Sequence, residues 1–314
     1  MLKLVLLLAV AALSAAANVP WSDDDDLDNY LENDVDTTDL RMVGGDVVTD
    51  TNTYSFMIGI QPKYTLNSVV TNAPFCSGVL IRGQTAAATA GAAPTDQYYV
   101  LTSAHCAQSG TSYDFFAGSI SVLNTQTASQ AGVLATTAII NEEFRQTSMT
   151  GDLALIPTTI VPSTTGTAPI TAATLGSITD STKSYLINSV TMAGWGYPND
   201  VFLDHSPRLR ALSSWVVPNW YCAVRHLSMP IRRTHVCTAG LPNKGPCTGD
   251  SGAPLIAETS GTSSSGSTTR GRVVIGLATH TPRNGCNRGR PGVFTRIGDY
   301  LNWIIQVTNY NPDD

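Results

Sequence analysis

Residues 247–254 read Cys-Thr-Gly-Asp-Ser-Gly-Ala-Pro, and this stretch carries the most chemical information in the chain. Glycines around Ser251 let the backbone approach another molecule closely and leave amide N–H groups available as hydrogen-bond donors. A tight turn would explain the glycines, but it would explain neither Asp250 nor the flanking Cys247. The stretch therefore indicates a serine that is presented for chemistry.

Two further motifs lie earlier in the chain. Residues 101–106 read Leu-Thr-Ser-Ala-His-Cys, a predicted strand that ends at His105, and a histidine held there can act as a general base near neutral pH. Residues 151–155 read Gly-Asp-Leu-Ala-Leu, in which Asp152 enters an apolar strand and needs a partner, because an isolated buried charge is costly. Either motif by itself is more typical of a structural role.

The order of His105, Asp152 and Ser251 along the chain separates the classes of serine hydrolase. Subtilisin-like enzymes have the order Asp, His, Ser, and α/β-hydrolases have the order Ser, Asp, His. Ser251 also lacks the G-x-S-x-G pattern of the α/β-hydrolases, since position 253 is Ala. Only the chymotrypsin order fits.

Short β-prone runs separated by glycine and proline predict an all-β fold. The runs are Phe75–Ile81, Tyr98–Ser103, Tyr113–Val122, Val133–Ile140, Leu153–Ile156, Tyr185–Ala193, Arg272–Ala278 and Val293–Ile297. The Ser/Thr/Gly-rich stretch Thr259–Gly271 predicts an exposed loop, and Pro157–Thr182 predicts a connector between two halves. Only the C terminus has a clear helical period, with Asp299 as its predicted N-cap.

Composition and charge exclude several classes of protein. Of the 314 residues, 42% are hydrophobic and 13% are charged, which is too few charges for a coiled coil and too many apolar residues for a disordered chain. No apolar run is long enough to span a membrane, so no membrane partner is expected. Residues 1–41 hold 9 of the 24 acidic side chains, which leaves 15 acids and 16 bases in residues 42–314. A nucleic-acid partner is therefore not expected.

The N-terminal residues predict targeting and processing. Lys3 precedes an apolar run and a cluster of small residues, which is typical of a secretory signal peptide over residues 1–17. Residues 18–41 form an acidic pro-segment that ends at Arg41. The protein is therefore expected to be secreted and extracellular.

Secretion makes the six cysteines interpretable, because an even number in an oxidising compartment indicates disulfides. Six cysteines allow 15 pairings, and the sequence alone does not choose among them. There is no CxxC pair and the histidines are scattered, so neither a metal nor another cofactor is expected.

Taken together, the three motifs resemble those of secreted serine proteases of the chymotrypsin family, in the same order and at suitable distances. The resemblance runs from about Met42 to the predicted C-terminal helix. Other matching stretches are Met192–Gly196 (MAGWG), Pro291–Phe294 (PGVF) and Tyr300–Ile304 (YLNWI). The resemblance implies two six-stranded antiparallel β-barrels with the active site in the cleft between them.

The resemblance also implies a domain division and a disulfide pairing. It places the protease domain at residues 42–314, with barrel one at about 42–157, barrel two at about 170–298 and the helix at 299–310. The implied disulfides are Cys76–Cys106, Cys222–Cys237 and Cys247–Cys286. The first would hold the strand of the catalytic histidine, and the last would brace the specificity pocket.

The resemblance gives each triad residue a role. Ser251 is the nucleophile, and His105 is the base that takes its proton and later protonates the leaving amine. Asp152 holds His105 in the required tautomer and stabilises its cation. The backbone N–H groups of Gly249 and Ser251 form the oxyanion hole.

Activation is implied in the same way. Cleavage after Arg41 by a separate trypsin-like protease frees the α-amino group of Met42, which pairs with Asp250. Without that cation Asp250 is an uncompensated buried charge, so the precursor is expected to be disordered around it. Met42 stands where most relatives have Ile, and it is similar in volume and more flexible.

The specificity pocket aligns with Gly245 at its floor and with Thr281 and Gly292 at its walls, and Thr279 adjoins it and can donate a hydrogen bond to Asp152. No carboxylate lies there to pair with a substrate Arg or Lys, so a trypsin-like preference is not expected. Elastase-like cleavage after medium aliphatic residues is favoured because Thr281 narrows the neck. Chymotrypsin-like cleavage after Leu, Phe or Tyr stays open.

Two departures from the family pattern concern activity. Ala253 stands where the family usually has Gly, and His280 where it usually has Trp. The alternative function is a catalytically silent homologue that acts as a binding or regulatory module, although such proteins usually lack a triad residue and this chain has all three.

The expected partners are a protein or peptide substrate, a trypsin-like activating protease and protein inhibitors of proteases, and a monomer is expected. Residues 42–314 hold 13 Arg and 3 Lys, and arginine keeps its charge at alkaline pH where lysine loses it. Digestion in an alkaline lumen is therefore the favoured setting. Drift in base usage explains the excess of arginine over lysine equally well.

Overall fold

Two antiparallel β-sheets dominate the computed structural model of the protein. The structure describes residues 44–85, 93–108, 110–122, 130–133, 137–164, 169–175, 185–197, 205–226, 229–262, 268–280, 286 and 288–312. The predicted signal peptide, the pro-segment with Arg41, the new N terminus at Met42 and the pocket wall at Thr281 lie outside these residues. The described chain begins with a short strand, β1 (Asp46–Val47), which pairs with the second sheet.

The first sheet contains eight strands of the N-terminal half. They are β2 (Met57–Leu66), β3 (Val69–Asn72), β4 (Cys76–Gln84), β5 (Asp96–Thr102), β6 (Ser112–Ala117), β7 (Gln130–Val133), β8 (Ile139–Ile140) and β9 (Ala154–Thr158). Their order is β7-β6-β2-β4-β5-β9-β8, and β3 pairs with β2. The two end strands, β7 and β8, follow each other in the chain.

Burial explains why these runs are strands. In β6 the residues alternate, so that Tyr113, Phe115 and Ala117 are buried while their neighbours are partly exposed, which is the period of a half-buried strand. In β4, at the centre of the sheet, six consecutive residues from Cys76 are buried, because both faces of this strand are covered.

The second sheet contains six strands of the C-terminal half besides β1. They are β10 (Ser189–Gly194), β11 (Arg210–Val217), β12 (His235–Thr238), β13 (Pro254–Thr262), β14 (Thr268–His280) and β15 (Gly292–Arg296). The order β11-β10-β13-β14-β15-β12 closes on itself, because β12 also pairs with β11 through Val216 and Thr238. This half is a closed six-stranded barrel.

The all-β prediction is therefore confirmed, and so is a six-stranded barrel for the second half. In the first half the described part is an eight-stranded sheet rather than a six-stranded barrel: seven strands form one path, in which β7 and β8 are separate end strands, and β3 pairs with β2 off this path. Residues from the predicted connector touch both sheets: Ala173 N–H donates to Leu80 O (2.7 Å) and Val274 N–H donates to Thr174 O (2.8 Å).

The prediction of a loop at Thr259–Gly271 is wrong for Thr259–Thr262 and Thr268–Gly271, which are strands, whereas residues 263–267 lie outside the described residues. The ladder between β13 and β14 continues through this stretch, from Glu258 opposite Arg272 to Thr262 opposite Thr268. Threonine is β-branched and suits a strand, so a composition typical of a loop here forms the arm of a long hairpin.

Three helices occur among the described residues: α1 (Ala104–Ala107), α2 (Asn219–Arg225) and α3 (Ile297–Thr308). The C-terminal helix α3 begins two residues before the predicted start. Asp299 consequently lies in its first turn rather than at its N-cap, and it pairs with Arg233 (3.1 Å) and Arg296 (3.6 Å). None of the helices in the described ranges is both long and apolar enough to cross a bilayer.

The packing of α3 joins the two halves. Leu301 and Ile304 on its inner face are buried in one apolar cluster that also contains Leu155 of the first sheet and Leu277 of the second. This shared core fixes the two sheets against each other, so that groups from both can meet at one site.

The three disulfides implied by the resemblance are present. They join Cys76 to Cys106, Cys222 to Cys237 and Cys247 to Cys286, with Cα–Cα distances of 6.3, 6.4 and 5.2 Å.

Candidate active site

His105 lies in the single-turn helix α1, directly after β5, and its side chain is 22% exposed. The next residue, Cys106, is bound through its disulfide to Cys76 on β4. The backbone of His105 is therefore held on one side by a strand and on the other by a covalent bond to the neighbouring strand.

The Asp152 carboxylate is fully buried just before β9. Its Oδ2 accepts hydrogen bonds from His105 Nδ1–H (2.7 Å) and from the hydroxyl of Thr279 on β14, and its Oδ1 accepts one from the backbone N–H of His105 (2.9 Å). These three donors compensate for the loss of water around a buried carboxylate. Because Nδ1 carries the proton, Nε2 is the nitrogen with a free lone pair.

The environment of His105 changes its basicity in two opposing ways. Burial lowers the pKa of the imidazole, while the negative charge of Asp152 and the hydrogen bond to it raise that pKa, and the net pKa is above the ordinary histidine value. The site therefore stabilises an imidazolium at this position.

Ser251 lies in the turn before β13 and is half-buried. Its carbonyl accepts a hydrogen bond from Ser77 N–H on β4 (2.8 Å). A Cβ atom on Gly252, where φ is +79°, would lie 2.1 Å from Ser77 O and 2.3 Å from the hydroxyl oxygen of Thr102, so only glycine allows this close approach. The serine turn is thus seated against the strand end that leads to His105.

The backbone N–H groups of the serine turn differ in whether they donate a hydrogen bond within the described residues. Asp250 N–H donates to Cys247 O (3.0 Å), inside the turn. None of the described residues accepts a hydrogen bond from the N–H of Gly249 or of Ser251. Two such donors that flank a serine can bind a developing negative charge on a substrate oxygen.

Asp250 is a second fully buried carboxylate, next to Ser251 in sequence. It accepts hydrogen bonds from Gly196 N–H (2.8 Å) and Cys247 N–H (2.9 Å), and a Cβ atom on Gly194 or Gly196 would lie 2.2 Å from a carboxylate oxygen. Burial raises its pKa to about 7, against the opposite effect of the two N–H donors. Within the described residues no cation pairs with it, and Met42 is not among them.

Two of the predicted pocket residues lie close together. Gly245 is buried, and a Cβ atom on Gly292 would lie 3.3 Å from Pro246 Cγ and 2.7 Å from the hydroxyl oxygen of Thr238. Thr238 lies opposite Gly292 in the pairing of β12 with β15 and brings a hydroxyl close to that glycine, a contact that no sequence motif marks. The other predicted wall, Thr281, lies outside the described residues.

Two groups that the sequence does not predict also contact the loop before Asp152. The hydroxyl of Tyr300 on α3 accepts a hydrogen bond from Gly151 N–H (2.9 Å), and His235 Nε2 on β12 lies 3.2 Å from Met149 O. Tyr300 is part of the YLNWI stretch, which was a usable signal, whereas no motif surrounds His235.

Comparison with known families decides the classification: the sequence pattern of the family described as Trypsin matches residues 44–304. The chain belongs to the trypsin family of serine proteases. The predicted resemblance to chymotrypsin-like proteases is thereby confirmed, and a trypsin-family domain covers both sheets and most of α3.

Individual relatives are similar at modest identity. The chain is 29% identical to a chymotrypsin from Phaedon cochleariae over 216 residues, which is 69% of this chain and 71% of that protein. It is 28% identical to glucanase inhibitor protein 3 from Phytophthora infestans over 274 residues, 87% of this chain and 91% of that one. The trypsin-family fold thus occurs among these relatives in proteins named for proteolysis and in one named for inhibition.

A solved structure shows the same fold. The structure of HL collagenase superposes with a TM-score of 0.63 at 22% identity and covers 86% of this chain and 99% of its own. At this identity the likeness shows the trypsin-family fold alone.

Proposed function

We propose that this chain is the zymogen of a secreted serine endopeptidase that hydrolyses peptide bonds through an acyl-enzyme on Ser251. The observation that carries the proposal is the hydrogen bond from His105 Nδ1 to buried Asp152, with the turn of Ser251 seated against the end of the histidine strand. Membership of the trypsin family makes a protein or peptide the substrate class.

In the proposed mechanism, His105 Nε2 takes the proton of Ser251 Oγ as that oxygen attacks the substrate carbonyl carbon. Asp152 holds the imidazole by Nδ1 and stabilises the cation that forms. The N–H groups of Gly249 and Ser251 stabilise the oxyanion. His105 then gives its proton to the leaving amine, and water hydrolyses the acyl-enzyme by the same steps.

The proposed specificity is for uncharged side chains. Gly245 at the predicted floor and Gly292 at the predicted wall carry no charge, and Thr238, which adjoins Gly292, is neutral. A substrate Arg or Lys would find no carboxylate among them, whereas apolar side chains would fit. Elastase-like and chymotrypsin-like preferences both agree with this pocket, and Thr281 is proposed to narrow it in favour of the first.

Activation is proposed to follow cleavage after Arg41. In the structure of the whole chain, Asp250 is buried beside Ser251 without a cation among the described residues. The α-amino group of Met42 would supply that cation and fix the turn that carries the oxyanion-hole amides. A trypsin-like protease is the proposed activator, and protein inhibitors that fill the substrate cleft are proposed partners of the monomer.

Secretion and a digestive setting complete the proposal. The three disulfides support an oxidising, extracellular compartment. The excess of arginine over lysine in residues 42–314 supports an alkaline lumen.

One other function is favoured by a specific observation. The relative named glucanase inhibitor protein 3 matches most of the chain, which supports a trypsin-family protein that binds another enzyme without cleaving it. The hydrogen bond between His105 and Asp152, together with the turn of Ser251 seated against the end of the histidine strand, favours catalysis instead.

A serine-directed fluorophosphonate separates the two functions. After trypsin treatment, the purified chain is expected to become labelled at Ser251 and to cleave a peptide library after uncharged residues. Ser251→Ala is the control for the nucleophile, and Arg41→Gln is the control for activation, since neither should label. A trypsin-treated chain that is cleaved after Arg41 yet takes no label would establish the silent homologue.

A further inference from the structure

The loop that carries Asp152 is hydrogen-bonded to the opposite half of the molecule at three points between residues 149 and 152. The loop joins β8 to β9. Met149 O, Gly151 N–H and the Asp152 carboxylate are bound by His235 on β12, Tyr300 on α3 and Thr279 on β14, respectively. All three partners follow the first sheet in the chain, so this loop is positioned by the second barrel and its helix.

The backbone of this loop does not adopt its conformation without support. Met149 has a φ of +51° and Gly151 has a φ of +64°. A left-handed conformation at a residue with a side chain costs about 1 kcal/mol or more, and it persists only where surrounding contacts hold it. The carbonyl of the strained Met149 is the atom that faces His235 Nε2.

The surroundings of His235 hold its imidazole in a fixed orientation as a neutral hydrogen-bond donor through Nε2–H. Its side chain is fully buried, and its Nδ1 accepts a hydrogen bond from Arg232 N–H (3.1 Å), which leaves the proton on Nε2 for Met149 O. Its own carbonyl accepts bonds from Asn219 Nδ2 (2.9 Å) and Arg296 Nη2 (3.1 Å). Both the ring and the backbone of His235 are therefore fixed.

We propose that His235 is a positioning residue of the catalytic site: through its hydrogen bond to Met149 O, the neutral imidazole holds the loop that places Asp152 against His105. This inference rests on the proposed endopeptidase function. A second proton on His235 would sit on Nδ1 and face the N–H of Arg232, so protonation breaks the arrangement.

The charges around His235 work in both directions. Burial lowers the pKa of the His235 imidazole, whereas the hydrogen bond to Met149 O and the charge of Asp152 raise it. The guanidinium groups of Arg232 and Arg296 lower this pKa further, so that the net pKa is below the ordinary histidine value. The pKa of His105 is raised above that value. As the pH falls, His105 is therefore protonated first and His235 second.

The test compares two substitutions in the trypsin-activated protein. His235→Gln keeps a donor and an acceptor but cannot titrate, and His235→Leu removes both. We expect kcat of His235→Gln at pH 8 to stay within about three-fold of the parent, and kcat of His235→Leu to fall about ten-fold or more with KM within two-fold, because a small misplacement of a catalytic group is costly.

The pH profile supplies a readout that a purely structural role would not change. In the parent, log kcat/KM is expected to fall as the pH is lowered. Its slope against pH should be one once His105 is protonated and should increase to two once His235 is protonated as well. In His235→Gln the slope should stay at one throughout. Tyr300→Phe is the matched control: it removes the hydrogen bond from Gly151 N–H, but the slope of log kcat/KM should still reach two at low pH.

Two results would overturn the inference: a parent-like kcat in His235→Leu, or a two-proton limb that persists in His235→Gln. If His235→Leu does not fold, the slope of His235→Gln and the ¹⁵N resonances of His235 in Ser251→Ala decide, with a neutral Nε2–H tautomer expected at pH 7. If the activated parent cleaves no peptide, the proposed function fails together with this inference. If it cleaves and these readouts do not change, only the inference fails.

Discussion

Asp152 and Asp250 show how one chain buries two carboxylates with different outcomes. Asp152 is bound by a side chain that can become a cation, His105, and by a hydroxyl from the other sheet. Asp250 is bound only by two backbone N–H groups within the described residues, and burial raises its pKa to about 7. The first arrangement suits a catalytic pair, whereas the second suits a carboxyl group that pairs with a cation only after activation.

The hydroxyl of Thr279 should influence the acidity of His105, because both groups donate to the same oxygen of Asp152. In Thr279→Val that oxygen loses a donor worth about 1.5–3 kcal/mol, and its remaining charge acts more fully on His105. We expect kcat to fall about ten-fold and the acid limb of kcat/KM to move to higher pH. Steady-state kinetics from pH 5 to 9 test this.

Thr279→Ser is the matched variant for that experiment, since it restores the hydroxyl and removes only a methyl group. It should return both kcat and the position of the acid limb towards the parent. A profile of Thr279→Val that superposes on the parent would contradict the role of this hydrogen bond.

At the level of elements, the runs within β4 and β5 were predicted because their burial leaves a plain apolar signature. The strands β11 and β12 were not. The burial of β11 alternates, but its buried face includes the polar Arg210 and Ser214 while Trp215 is exposed, which hides the pattern in the sequence, and β12 is only four residues long. The run Arg272–Ala278 of β14 was predicted, but the outer arm of the hairpin, Thr259–Thr262 paired with Thr268–Gly271, was mistaken for part of a loop, because backbone pairing does not depend on a Ser/Thr/Gly composition. Elements defined by pairing rather than by burial are the ones that sequence patterns miss.

The disulfide Cys76–Cys106 joins β4 to α1, the helix that contains His105. Replacing both cysteines by alanine opens a loop with a sequence separation of 30, which we expect to lower the free energy of unfolding by about 3–4 kcal/mol. Since His105 adjoins Cys106, kcat should fall as well. Urea unfolding and kinetics at a temperature where the variant is folded measure the two effects separately.

Cys222→Ala with Cys237→Ala is the matched comparison, with a separation of 15 and an expected loss of about 3 kcal/mol. It should change kcat less than the first pair does, because neither cysteine adjoins a triad residue. Equal losses of kcat in the two double variants would show that general stability, and not the position of His105, causes the effect.

On the scale of the whole molecule, neither half forms the site alone. His105 and Asp152 belong to the first half, while Ser251 and Thr279 belong to the second. His105, Asp152 and Ser251 could be proposed as site residues from the sequence because each lies in a local motif. The contacts of His235 and Tyr300 with the Asp152 loop could not, since they depend on how the two halves pack through the shared core.

Buried titratable groups should give the uncleaved chain an unusual dependence of stability on pH. The pKa values of His226 and His235 are lowered by burial, so the unfolded chain binds more protons below its histidine pKa of 6.5, and stability falls as the pH drops below that value. Asp250 and His105 act in the opposite direction, because their pKa values are raised in the fold. The pKa of Asp250 rises from its ordinary value of 3.8 to about 7, so this group stabilises the folded chain as the pH falls from 7 towards 4.

We therefore expect the uncleaved Ser251→Ala chain to lose little free energy of unfolding between pH 7 and pH 5, because the proton taken up by Asp250, together with the one taken up by His105, offsets the effect of His226 and His235. Adding Asp250→Asn removes that proton, and stability should then decline steadily over the same range. Trypsin cleavage of the Ser251→Ala chain should have a similar effect, since an amine that pairs with Asp250 keeps the carboxylate charged. Urea titrations at several pH values compare the three proteins, and parallel curves for all three would mean that Asp250 takes up no proton in the precursor.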